Sequence, residues 1–193
     1  MSFDFLPLTP EELFQQLYGL PFPFWICGGW AIEMFAGKKI REHHDIDVAI
    51  LRVDHYKLKS ALPDWEFKIA KEGVLHDWND TELPRDLHTL WARKHGSDKW
   101  LTEFLVNESD DHNWIFRKNE KVTCLLSKMG LADEHGIPYL RPSIPLLFKS
   151  AHCRENDNLD FLAAHAAMDP REKNLLKTWI TIFQPQCEWL KKL

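Results

Sequence analysis

Residues 24–32 read Phe24-Trp25-Ile26-Cys27-Gly28-Gly29-Trp30-Ala31-Ile32, and beyond Gly37 the chain continues as Arg41-Glu42-His43-His44-Asp45-Ile46-Asp47-Val48-Ala49-Ile50. The first stretch is an apolar run that stops at a glycine pair and passes into helical spacing over Trp30 to Phe35, with Gly37 as the stop signal. The second becomes strand-like from Ile46 to Ile50. The predicted unit is therefore strand, glycine turn, helix, strand. Residues i and i+2 of a strand share a face, so Asp45 and Asp47 are expected to present two carboxylates to one point while Ile46 and Val48 face the core. Two like charges held that close are costly without a cation, and a hard divalent ion with oxygen ligands, Mg²⁺ above all, offsets the cost. Gly28 and Gly29, lacking side chains at a helix N-terminus, would let phosphate oxygens approach the backbone.

Outward from this unit, Thr9-Pro10-Glu11-Glu12 carries the signature of a capped helix start, with Glu12 three residues after Thr9. Val53 to Leu62 is expected to be helical and Trp65 to Ala70 a strand. Leu87 to Ala92 and Trp100 to Val106 flank His95-Gly96-Ser97-Asp98 and should pair antiparallel, and a further hairpin is expected around Lys118-Asn119-Glu120. Three helices follow, over Ser143 to His152, Asp157 to Met168 and Pro170 to Phe183. The expected layout is a mixed α+β part over residues 1–125 and a smaller helical part over 126–193.

The chain has 193 residues, 45% of them hydrophobic and 12% aromatic, enough for a sizeable core. Its net charge of −5, with no long basic run, speaks against nucleic acid as a partner. The four cysteines show no Cys-x-x-Cys pair, so neither a zinc knuckle nor a redox dithiol is indicated, and free thiols in a cytoplasmic protein are expected. Pro21, Pro23 and the glycine pair rule out a membrane span over Leu20 to Gly37, and Met1 to Asp4 lacks the basic start of a signal peptide.

Taken together, the glycine turn, helix and Asp-x-Asp strand resemble the nucleotidyltransferase superfamily of the DNA polymerase β type. The resemblance is closest to its aminoglycoside 2''-adenylyltransferase-like and lincosamide nucleotidyltransferase-like branch, where Gly-Gly-Trp-Ala-Ile is followed by Arg-x-His-x-Asp-x-Asp, as in Gly28 to Asp47 here. That resemblance implies a mixed, mostly antiparallel sheet with packed helices, the nucleotidyltransferase fold, followed by a small C-terminal helical bundle. It also implies transfer of a nucleoside monophosphate, AMP by family analogy, from an NTP to a hydroxyl of a small acceptor, with Mg²⁺ and ATP as cofactor and co-substrate. The superfamily needs a third carboxylate on a neighbouring strand, and Glu103 in Leu101-Thr102-Glu103-Phe104-Leu105 meets that requirement, as metal ligand or proton acceptor. Asp45, Asp47 and Glu103 are thus the expected catalytic and metal residues, and Gly28, Gly29, Arg41 and Lys149 the expected phosphate-binding ones. Arg154-x-x-Asp157-x-x-Asp160-Phe161 is similar to a further family pattern, with Asn156 where lysine is usual. Two other readings stand beside this one: a nucleotide-binding regulatory module without transfer, and a nucleotidyltransferase that modifies a protein partner.

Overall fold

The computed structural model describes residues 4–71, 74–78 and 82–193. Helix α1 (Pro10–Leu17) begins with the expected capping box, in which Thr9 Oγ1 accepts from the Glu12 amide at 3.3 Å and the Glu12 carboxylate accepts from the Thr9 amide at 2.8 Å. Strand β1 (Phe24–Ile26) leads directly into helix α2 (Gly28–Ala36), so the glycine pair forms the first turn of that helix instead of a separate turn. Gly37 closes α2 in the left-handed conformation, φ 64°. Strand β2 (Asp47–Leu51) follows; Asp45 lies two residues ahead of it, outside the strand that the alternation predicted.

Val53 to Leu62 forms a 3₁₀ turn over Arg52–Lys57 and only a short helix α3 (Leu58–Ala61), not one continuous helix. Strands β3 (Trp65–Lys71), β4 (Val74–Asp77), β5 (Thr89–Lys94) and β6 (Thr102–Ser109) come next, then the small hairpin of β7 (Asn113–Ile115) and β8 (Thr123–Leu125). Strands β9 (Gly130–Ala132) and β10 (Pro138–Leu140) precede the helices α4 (Ser143–Lys149), α5 (Glu155–Ala167) and α6 (Pro170–Phe183). The main sheet runs β4-β3-β5-β6-β2-β1-β10-β9, and its pairs are antiparallel except for β2 with β6 and β1 with β10. This is the mixed, mostly antiparallel sheet with C-terminal helices expected from the sequence. The sheet continues past residue 125 through β9 and β10, and the all-helical part starts at Ser143.

Apolar cores cover both faces of the sheet. Val48 and Ile50 of β2 join Leu13, Leu17, Leu58 and Phe104 on one face, while Ala49 and Leu51 join Trp114, Leu147, Phe161 and Trp179 of the helical side on the other. A central strand buried on both faces reads as a continuous apolar run, which is why Asp47 stands out in it. Among the described residues no helix is long and apolar enough to cross a membrane.

Phe104, fully buried in β6 and packed against Trp65 and Phe67, anchors the first of these cores. Phe104→Ala is expected to cost about 3–5 kcal/mol in urea unfolding with an unchanged slope, because the rigid aromatic surround cannot collapse into the space left.

Candidate active site

Asp47 opens β2 opposite Glu103 of β6, the two being direct partners in the parallel register. The start of β2 is tied on both sides: the Thr102 hydroxyl donates to the Ile46 carbonyl at 2.7 Å from the β6 side, and the Cys27 amide donates to the Asp47 carbonyl at 2.9 Å from the β1 side. Asp45, exposed at the lip, acts electrostatically on both acids. Burial, reinforced by Asp45 and opposed by Lys149, pushes the Asp47 carboxyl up to about 7. Burial, then Asp47 and Asp45, push Glu103 up to about 8. Cys27 faces the same acids, and burial followed by Asp47 and Glu103 drives its thiol well above the ordinary range, so it is no nucleophile. Buried like charges with so little opposing cation are the donor chemistry of a divalent-ion site. Among the described residues no group of three His, Cys, Asp or Glu side chains is placed to hold a metal ion. An open pair of acids suits Mg²⁺, which keeps water and phosphate oxygens in its own shell.

The glycines have separate tasks. Gly28 carries the positive φ, 65°, and a Cβ there would meet Asp47 Oδ2 at 2.6 Å. Gly29 has no such φ, and a Cβ on it would strike the Arg41 guanidinium at 2.2 Å and the His43 ring at 2.6 Å. The space a side chain would take at Gly29 is thus filled by Arg41 and His43, which by itself requires glycine there.

Helix α2 clamps the loop that carries Arg41 and Asp45. Trp30 stacks on His43 with ring centres 4.5 Å apart and donates its indole N–H to the Asp45 carbonyl at 3.2 Å. Glu33, nearly buried, accepts from the Ile40 and Arg41 amides at 2.8 and 2.9 Å and lies 2.9 Å from His43 Nε2. Burial acts to raise its pKa, but those two amides and His43 outweigh burial and hold the carboxyl below its ordinary value. The sequence showed Glu33 only as a lone charge in an apolar stretch, which was the signal available.

Arg41 and Lys149 converge on one carboxylate. Asp160 has no exposed surface; it accepts from Arg41 Nε and one terminal nitrogen at 3.1 and 3.3 Å and lies 3.0 Å from Lys149 Nζ. Lys149 also donates to Asp157 at 3.1 Å, and Asp157 accepts the Arg154 amide at 3.0 Å. Asp157 and Asp160 were visible as part of a pattern, but their task of holding both expected phosphate cations was not. Asn156 is exposed in the first turn of α5. Glu108 pairs with Arg52 at 2.6 Å, and Asp110 caps a turn through the His112 and Asn113 amides.

Two clefts lie near the acids. The larger, about 820 Å³, reaches them only at Asp45 and is otherwise lined by the N-terminal segment, α2 and the loop after β9. The smaller, about 270 Å³, lies on the Asp47–Glu103 face of the sheet, between Gly28, Leu105 and Lys149.

The family model described as Aminoglycoside-2''-adenylyltransferase matches residues 11–129. A lincosamide resistance protein of Staphylococcus haemolyticus is 25% identical over 170 residues, covering 79% of this chain and 92% of that protein. Among solved structures, the lincosamide antibiotic adenylyltransferase LnuA with bound lincomycin superposes with a TM-score of 0.57 at 18% identity, over 84% of this chain and all of that one (100%). ANT(2'')-Ia in complex with adenylyl-2''-tobramycin gives 0.58 at 15% identity, over 90% and 95% of the two chains.

Two outcomes test this electrostatic picture. Folded-state carboxyls at about 7 and 8 keep protons that the unfolded chain has already released, so stability should fall as pH rises from roughly 4 to 8. Urea unfolding without divalent ions should show a loss of roughly 2–4 kcal/mol between pH 5 and pH 9, and Asp47→Asn should flatten that slope. Asp160→Asn should cost about 3–5 kcal/mol in the same assay, since it strands two part-buried cations, whereas replacement of exposed Asn156 by Ala should cost almost nothing.

Proposed function

From the premise that this chain belongs to the aminoglycoside-2''-adenylyltransferase family, we propose that it is a metal-dependent nucleotidyltransferase that moves AMP from ATP to a hydroxyl of a small acceptor and releases pyrophosphate. The observation that carries the reading is the register-paired Asp47 and Glu103, two acids under mutual repulsion beside a glycine that admits no side chain. Asp47 and Glu103, with Asp45 at the lip of the site, would hold Mg²⁺ together with water and phosphate oxygens, and the ion when bound supplies the positive charge that a triphosphate needs. Gly28 and the first amides of α2 face the phosphates, and Lys149 and Arg41, steadied by Asp160, contribute the remaining positive field. Glu103 accepts the proton of the acceptor hydroxyl as its oxygen bonds to the α-phosphorus and the bond to pyrophosphate breaks; a carboxyl held near neutrality is a base of matched strength. Positioning and charge neutralisation provide most of the barrier reduction. Residues 1–125 serve as the nucleotidyltransferase part, and 126–193, which add β9, β10 and the C-terminal helices, close the cleft.

Pyrophosphate release should be measured with Mg²⁺, each of the four ribonucleoside triphosphates and a panel of hydroxylated acceptors. ATP is the expected donor. Glu103→Gln should lower turnover by on the order of a thousandfold with a smaller effect on nucleotide affinity, and Asp47→Asn should abolish Mg²⁺-dependent nucleotide binding while the chain stays folded. A wild-type chain that binds nucleotide by calorimetry and never releases pyrophosphate would instead be a regulatory module.

A further inference from the structure

The smaller cleft differs in charge from everything else around the acids. Its walls are apolar, formed by Leu105, Leu140, Pro145 and Phe148; among the described residues its only charged lining groups are Lys149 and Arg117, and no carboxylate lines it. The larger cleft is lined by six acids, Glu11, Glu33, Glu42, Asp45, Asp133 and Glu134, against Lys38, Lys39 and Arg41.

The two cations of the smaller cleft are not equivalent. Lys149 is committed to Asp157 and Asp160. Arg117, among the described residues, makes no ion pair and no hydrogen bond; its guanidinium carbon sits 5.3 Å from the centre of the Phe148 ring. The acid that acts on it, Glu108, is bound to Arg52 at 2.6 Å and lies 3.5 Å from His88 Nε2. Desolvation lowers the pKa of Arg117, Glu108 works against that, and Arg52 adds to it, so the group stays charged but poorly compensated. An aromatic seat restricts the guanidinium at little cost and leaves its donors free for a bidentate acceptor.

We propose that this cleft receives a compact ligand bearing an oxyanion, and that Arg117 is the residue that recognises the oxyanion. The inference rests on the nucleotidyltransferase reading for its place in the reaction, but not for the binding itself. One chemistry has two sources here: a phosphate of the nucleotide, or a carboxylate or phosphate on the acceptor. In either case the cleft is closed to polycations, which would meet Arg117 and Lys149 and find no carboxylate in return; a polycationic acceptor would have to use the larger, acidic cleft.

Calorimetry on the full chain tests this with wild type, Arg117→Ala and Arg117→Lys. The probes are ATP and adenosine for the first source, and 4-hydroxyphenylacetate with its amide and tyramine, matched in size and hydroxyl, for the second. Arg117→Ala should weaken either ATP or 4-hydroxyphenylacetate by about tenfold or more, with adenosine and the amide within about twofold, and Arg117→Lys should recover part of the loss. Loss confined to ATP identifies the nucleotide's phosphates, and loss confined to the hydroxy acid identifies the acceptor. Arg117 is exposed at the cleft mouth, so the variants should keep the wild-type circular dichroism spectrum. Unchanged affinity for both anions in Arg117→Ala overturns the proposal, as does tyramine or tobramycin binding wild type more tightly than 4-hydroxyphenylacetate and losing that affinity in Arg117→Glu. Failure of the nucleotidyltransferase reading looks different: ATP then fails to bind wild type and no pyrophosphate appears, while the hydroxy-acid arm still reports on Arg117.

Discussion

Asp160 is a carboxylate without exposed surface that ties Arg41, from the loop before β2, to Lys149, from the last turn of α4. A buried carboxylate persists only when its charge is met, and here two cations from opposite halves of the chain meet it. The consequence is geometric. The helical side cannot separate from the α2–β2 loop without exposing three charges from one network, so the cleft between them has a defined width. The apolar packing of Phe161 against Trp189, with ring centres 4.5 Å apart, stiffens the same helix from its other side.

That clasp also decides the electrostatics of the acids. Lys149 lowers the cost of ionising Asp47, but it and Arg41 are bound to Asp160 and Asp157, so burial and the neighbouring acids still win. The acids therefore stay under strain from burial and from each other, with pKa values near neutrality. On the proposed reading, such a site would be completed by a cation brought in with a polyanionic nucleotide.

The motif around Gly29 serves assembly as much as binding. Trp30, Glu33 and His43 form a small scaffold that holds the loop backbone from Ile40 to Asp45 against α2, and Gly29 is a glycine because Arg41 and His43 occupy the place of its side chain. Gly28 is a glycine for two reasons that coincide: a left-handed φ and the closeness of Asp47. Such a motif reads as a phosphate cradle from its composition, although half of it is internal packing.

The division between what sequence and tertiary structure decide follows the range of the interactions. The Thr9–Glu12 capping box, the Asp169–Pro170 helix start, the Gly37 stop and the β5–β6 hairpin are set by neighbours a few residues apart, and periodicity and turn chemistry exposed all of them. Asp45, Asp47 and Glu103 were legible as acids in strand-like surroundings, and the Gly-Gly-Trp and Asp-x-Asp spacing pointed to the family. The departures came where partners are distant. That Asp47 faces Glu103 depends on which strands lie side by side, a register supported by the Thr102 hydroxyl on the Ile46 carbonyl and not by either strand's own pattern. The bond between Arg41 and Asp160 spans 119 residues, and the place of Arg117 at the cleft depends on how a hairpin packs on Phe148. Local sequence carries the periodicity of an element and the chemistry at its ends; which charges end up sharing one buried space is decided only when the two halves close on a common core.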